Sequence, residues 1–271
     1  MADIIRIDNL DDERLKVFST LSERELLNRD KPENGLFIAE SPKVIERALS
    51  AGYEPVCILI EDSQIENEGA EIIANCPDIP VFTSDFDTLT GITGYKLTRG
   101  MLCCMKRKAL PSPGDLLSKA TRAAVLEDVE NPTNVGAVFR SAAALGMDCV
   151  LLTGGCSDPF YRRSIRVSMG SVFKIPWTFL PENHVSLIKD FGFTVAALAL
   201  RDDNTLLGDD KLSSSDKLAV YLGNEGNGLS EETVKKCDYV VKIPMQNGVD
   251  SLNVSVASAL AFWELGHNKG C

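Results

Sequence analysis

Short apolar runs alternate along this chain with longer segments that are apolar on one side only, a rhythm that sorts into strands and helices. A polar, helix-like stretch runs from Asp11 to Arg29, and Leu36-Phe37-Ile38-Ala39-Glu40 then reads as a strand. Ser41-Pro42 opens a helix that continues to Ala51, with Ser as N-cap and Pro at the first helical position. Gly52 closes that helix, and Val56–Ile60 reads as the next strand. Strand, helix, strand predicts a small α/β unit. Further on the alternation is clearer. Ala123–Val129 is a β-type run, Asn134–Leu145 a helix with Asn134 at its cap, and Cys149–Leu152 a strand. Helix His184–Phe191 precedes strand Thr194–Leu200. Strand Leu218–Leu222, helix Glu231–Lys236, strand Tyr239–Ile243 and helix Leu252–Leu265 follow. Such alternation predicts a mostly parallel sheet covered on both faces, with ligands beyond the carboxyl ends of its strands. The loops after Val129, Leu222 and Ile243 are therefore the candidate chemistry.

Composition adds a division and several exclusions. With 271 residues, 44% hydrophobic and 25% charged, the chain favours two compact units and excludes disorder as its main state. The Pro/Gly-containing run Ala109-Leu110-Pro111-Ser112-Pro113-Gly114 marks the boundary, giving units over 1–108 and 118–271 with a linker over 109–117. Apolar runs such as Val195–Leu200 are far too short to span a bilayer, so no membrane partner is predicted. The start of the chain, Met1-Ala2-Asp3-Ile4-Ile5-Arg6, lacks the pattern of a secretory signal. The eight cysteines include no CxxC pair, and the histidines are only His184 and His267. That spacing predicts small apolar side chains in a reducing cytoplasm and no metal site.

In the first candidate loop, Glu130-Asn131-Pro132-Thr133-Asn134-Val135-Gly136 leads to Arg140, a guanidinium between Phe139 and Ser141-Ala142. A cation among such neighbours must find an anion, either a ligand or an internal carboxylate. The second loop, Gly223-Asn224-Glu225-Gly226-Asn227-Gly228-Leu229, has a backbone able to wrap a ligand. It has neither the Walker nor the GxGxxG spacing, which disfavours a dehydrogenase, and Glu225 at its centre suits a hydroxyl, amine or cation rather than a phosphate. In the third, Ser251 and Asn253 stand near the start of the last helix, either as caps or as a polar cluster.

Taken in order, N-x-G-x-x-x-R, L-G-N-E-G-x-G-L and I-P-M…S-L-N-V-S-V-A resemble the three motifs of the SpoU/TrmH family of RNA ribose methyltransferases, over about residues 122–265. Asp158-Pro159 with Arg166-Val167-Ser168-Met169-Gly170 is similar to that family's intervening segment, and Phe37-Ile38-Ala39-Glu40-Ser41-Pro42 through Gly52 is similar to its small ribosomal-protein-like domain. Two positions depart from the pattern: Asn131 where Asp is commoner, and Ser41 where Gly is commoner. The resemblance implies an α/β fold with a C-terminal trefoil-knotted, parallel-sheet SPOUT methyltransferase domain behind a small α/β RNA-binding domain. It implies a homodimer that binds S-adenosylmethionine, without metal, through Leu222, Gly223, Gly228, Ile243, Met245 and Leu252. The implied catalytic set is Arg140 with Asn134, Glu225, Ser251 and Asn253. A guanidinium resists deprotonation, so a charge-stabilising role for Arg140 is the physical expectation, against the base role usually described for it.

A formal net charge of −11 argues against broad nucleic-acid affinity. Two acid-free basic runs relieve the conflict: one with Lys96 and Arg99, the other with Arg162, Arg163 and Arg166 beside Phe160 and Tyr161, which are candidates for base stacking. These residues are the expected RNA contacts. Ribosomal RNA is the preferred target because of the front domain, with tRNA as the alternative. A non-catalytic RNA-binding or ribosome-assembly factor on the same fold is the rival class.

Overall fold

The computed structural model describes residues 3–8, 12–28, 31, 34–93, 100–201 and 204–267. They fall into two compact units, residues 1–109 with 160–173, and residues 110–159 with 174–271. The division differs from the expected one at two places. Residues 113–117 are not linker but a helix, Pro113–Leu117, started by a capping box in which Ser112 and Asp115 satisfy each other's backbone groups. Leu116 and Leu117 bury into the core of the second unit. The segment Phe160–Phe173, expected in the second unit, is part of the first.

The first unit holds a five-stranded sheet of β1 (Asp3–Arg6), β2 (Leu36–Glu40), β3 (Pro55–Glu61), β4 (Pro80–Ser84) and β5 (Met101–Lys106), in the order β1-β4-β3-β5-β2. β1, β4 and β3 run parallel, and β5 is antiparallel to both neighbours. The polar stretch after β1 is not one helix. It breaks into Lys16–Ser19 and Glu23–Leu27, because Ser22 and Glu25 form a capping box that restarts the helix. Along β2, alternate residues serve two faces. Ile38 joins Leu15, Phe18, Leu59 and Phe82 in one core cluster. Phe37 meets Tyr53, Phe160 and Phe173, with the Phe37 and Phe160 ring centroids 4.7 Å apart.

Helix Pro42–Ser50 follows β2 with Ser41 at its N-cap position, as expected, but the Ser41 side chain makes no capping bond: its hydroxyl is buried without a hydrogen-bond partner. Its backbone, at φ 86° and ψ 146°, lies where essentially only glycine is unstrained. Ser41→Gly is therefore expected to stabilise the protein by about 1–2 kcal/mol, relief of strain and of a stranded hydroxyl outweighing glycine's extra unfolded-state entropy. A higher thermal midpoint checks this; an unchanged or lower one contradicts it.

The second unit holds a seven-stranded sheet of β6 (Arg122–Leu126), β7 (Cys149–Leu152), β8 (Trp177–Phe179), β9 (Thr194–Leu198), β10 (Thr205–Leu206), β11 (Leu218–Leu222) and β12 (Tyr239–Lys242). Its order is β10-β12-β9-β11-β6-β7-β8, and every pairing is parallel. β6, β7 and β11 are buried along their whole length, which is why they read as continuous apolar runs. From β6 the chain steps outward to β7 and β8, then crosses to the other side, so the sheet's direction of winding reverses at the β6–β11 seam. Leu126 pairs with Leu222 there, and the two strands end level. β11 and β12 take inner places in the sheet, between strands laid down earlier in the chain. Cys57, Cys76, Cys103, Cys104 and Cys149 are buried thiols that pack as small apolar side chains. Among the described residues, no helix is long and apolar enough to cross a membrane.

Candidate functional site

The loops that leave the carboxyl ends of β6, β9, β11 and β12 meet at one edge of the second unit. Helix Pro132–Ala144 begins one turn earlier than its apolar pattern suggests. Asn131 is its N-cap, accepting from the Thr133 N–H at 2.9 Å, and Pro132 is its first residue. Asn134, expected at the cap, lies inside the helix with its buried amide turned to other partners. Its Nδ2 donates to Glu225 Oε1, and its Oδ1 accepts from Asn253 Nδ2 at 3.3 Å. Asn253 is in turn fixed as N-cap of helix Val254–Leu265, accepting from the Ser255 N–H at 2.9 Å. Donor follows acceptor from Asn253 through Asn134 to the Glu225 carboxylate, and this chain joins all three motif loops.

The Gly223–Leu229 loop is held just as firmly. The Asn224 and Gly228 backbones exchange hydrogen bonds of 3.2 and 2.9 Å, and Asn224 Oδ1 accepts from the Gly226 N–H at 2.7 Å. A Cβ on Gly223 would stand 2.3 Å from the Gly228 carbonyl carbon, so only glycine permits this fold of the loop. Two bonds tie it to the end of β6: Asn224 Nδ2 donates to the Asp128 carbonyl at 2.8 Å, and the Ser230 N–H donates to buried Glu127 Oε1 at 2.8 Å. Asn224, Glu127 and Asp128 were not singled out from the sequence. Asn224 lay within the second motif, where its place between Gly223 and Glu225 was the available signal.

A cavity of about 360 Å³ opens against this loop, lined in part by Leu222, Gly223, Glu225, Gly228, Ser251 and Leu252. An adjoining cavity of about 110 Å³ is mostly apolar, with Ile243, Met245 and Leu252 in its wall. Every residue expected to hold the cofactor therefore lines one or both cavities. Leu198, Ala199 and Leu200 at the end of β9 contribute to both as well. At the edge of the larger cavity Arg201 donates to Glu231, and this hydrogen bond holds the Glu231 carboxyl below the usual carboxylate range.

Arg140 is not brought to this cluster within one chain. It is exposed near the far end of helix Pro132–Ala144, six positions and so about 9 Å beyond Asn134, and lines neither cavity. The residues expected to contact RNA stand in different settings. Phe160 is buried in the aromatic cluster of the first unit, which removes it as a stacking platform. Arg162 and Arg166 lie 4.0 and 3.8 Å from buried Glu40. Arg163 is exposed, and Lys96 and Arg99 lie outside the described residues.

The sequence model of the SpoU rRNA Methylase family matches residues 122–263. The chain belongs to that family. Over 99% of its length this SpoU-family chain is 32% identical to an uncharacterized tRNA/rRNA methyltransferase of Mycobacterium bovis, 94% of which is covered. It is 27% identical to the 23S rRNA (guanosine(2553)-2'-O)-methyltransferase RlmP of Bacillus subtilis, with 88% of this chain and 91% of that protein covered. Among solved structures, the AdoMet-bound rRNA methyltransferase from Sinorhizobium meliloti superposes with a TM-score of 0.80 at 22% identity, covering 97% of each chain. This last likeness is one of fold. The matched span in the SpoU family runs from β6 to helix Val254–Leu265, and so contains all three motif loops.

Proposed function

We propose that this SpoU methylase transfers a methyl group from S-adenosylmethionine to a ribose 2′-hydroxyl of structured RNA, ribosomal RNA in preference to tRNA, in the cytoplasm. The observation that carries the reading is the hydrogen-bonded run Asn253–Asn134–Glu225 at the mouth of two joined cavities. The B. subtilis relative's 2'-O activity on 23S rRNA and the AdoMet-bound structure of the same fold support it.

The cavities fit the cofactor. The apolar wall of Leu198, Val241, Ile243, Leu252 and Ala257 suits an adenine ring, and Gly223 and Leu200 line the same site. When bound, S-adenosylmethionine supplies a methyl group on a sulfonium, already activated for transfer. What is left for the protein is alignment of the hydroxyl and stabilisation of the charge that grows on its oxygen. The buried Asn134 amide fixes the Glu225 carboxylate, Asn253 fixes Asn134, and Ser251 places a hydroxyl on the same wall. Arg140 is assigned the growing alkoxide and a neighbouring phosphate.

That assignment requires a second copy. Helix Val254–Leu265 packs on helix Pro132–Ala144 and leaves Val256, Leu260 and Trp263 exposed, an apolar face on the same helix pair that carries Arg140. A homodimer that covers this face brings one chain's Arg140 toward its partner's cavity. The inner placement of β11 and β12 supports the trefoil knot expected for the domain. The first unit, with its own sheet and core, is assigned the holding of RNA.

The test is a map of 2′-O-methyl sites in RNA from cells with and without the protein. Loss of a discrete rRNA site supports the full reading, and loss confined to tRNA redirects the target. No change at any site favours the non-catalytic RNA-binding factor.

A further inference from the structure

The larger cavity contains an ion pair that the methyl-transfer chemistry does not use. Arg201 is the one cationic side chain among the described residues lining it, and its partner Glu231 lines the same wall. Glu225, the other carboxylate there, already accepts from Asn134. The side chains of Arg201 and Glu231 are 40% and 66% exposed, so their mutual attraction is screened by water and opens at little cost. Neither residue lines the smaller, mostly apolar cavity. Lys242 and Asp250 also stand in the wall of the smaller cavity, but its exposed lining is mostly apolar, and the Arg201–Glu231 pair belongs to the larger one.

A ligand that matches this division has a flat, weakly polar ring at one end and two opposite charges close together at the other. An α-amino acid group has that second feature, with its carboxylate and ammonium on a single carbon. We propose that Arg201 and Glu231 form the subsite for the zwitterionic amino-acid end of the cofactor, Arg201 binding the carboxylate and Glu231 the ammonium. The assignment rests on the cofactor reading above. The guanidinium fork can take a carboxylate through two parallel hydrogen bonds, and each partner of the resting pair exchanges one opposite charge for another. No buried charge is left over in either state.

Calorimetric titration of the full chain with two ligands tests the subsite. S-adenosylhomocysteine carries the amino-acid end, and 5′-methylthioadenosine lacks it. Arg201→Ala is expected to weaken S-adenosylhomocysteine about tenfold or more while leaving 5′-methylthioadenosine within about twofold. Arg201→Lys should recover part of the loss, since it keeps the charge but not the fork. Glu231→Gln should weaken S-adenosylhomocysteine by a smaller factor, again without effect on 5′-methylthioadenosine. Equal weakening of both ligands by Arg201→Ala assigns Arg201 to the shape of the cavity and overturns the subsite, as does no change for either. Wild-type protein that binds neither ligand removes the cofactor reading itself, and the subsite with it.

Discussion

Replacing Glu40 with Ala is expected to raise the exchange rate of amides in Phe160–Phe173 about a hundredfold, the signature of roughly 3 kcal/mol lost in the first unit. The carboxylate lies at the end of β2 with its side chain only 5% exposed, facing Arg162 and Arg166. Arg162 is 20% exposed and Arg166 38%. Burial already disfavours the charge on Arg162, Arg166 opposes it, and Glu40 is the first of the groups that offset both. Without Glu40, two neighbouring guanidinium groups repel each other in a partly dry setting. Glu23 gives only partial relief, accepting from the Arg162 backbone N–H at 2.6 Å. The penalty belongs to the orphaned charge and not to loss of a favourable bond, so Glu40→Met combined with Arg162→Met should recover most of it. Hydrogen exchange by mass spectrometry resolves the segment directly. Unchanged protection in Glu40→Ala would show that the aromatic cluster of Phe37, Tyr53, Phe160 and Phe173 holds the segment alone.

The same segment shows where the sequence stops being legible. Arg162 and Arg166 stand in an acid-free run because the acids that face them, Glu40 and Glu23, come from elsewhere in the chain, Glu23 being 139 positions from Arg162. Charge patterning in a local window cannot register such a partner. β5 escaped notice for a different reason. Met101-Leu102-Cys103-Cys104-Met105-Lys106 contains no β-branched or aromatic residue, the side-chain types that mark a strand in sequence. By contrast, the strands and helices around the site were legible, because a fully parallel, two-sided sheet gives each strand an unbroken apolar run. The motif loops were legible because their backbones constrain residue type, as the 2.3 Å approach at Gly223 makes plain. The cap at Asn131 was readable too: a Pro at the first helical position places the cap one residue earlier, and that shift is what frees the Asn134 side chain for Glu225. Arg201 had no motif around it. Its place beside the cavity comes from the end of β9, which only the strand order brings next to β11.

A heterodimer made from Arg140→Ala and Glu225→Ala chains is expected to recover about half the wild-type turnover, although each variant alone loses at least about a hundredfold. The expectation follows from Arg140 lying outside both cavities of its own chain while exposed on the helix that begins beside Glu225. If each active site takes its cavity from one chain and its guanidinium from the other, the heterodimer holds one site with both defects and one with neither. If the guanidinium serves its own chain, both sites are damaged and recovery is absent. Co-expression with two different tags and sequential purification isolates the mixed species for methyl-transfer assay on RNA. Activity no higher than that of either parent assigns Arg140 to its own subunit and overturns the shared site. The role of the group is read from Arg140→Lys. A stabiliser of charge on the reacting oxygen and a neighbouring phosphate depends on the planar fork, so the lysine variant should fall at every pH. Near-normal turnover with a displaced pH profile would instead assign the proton to this residue.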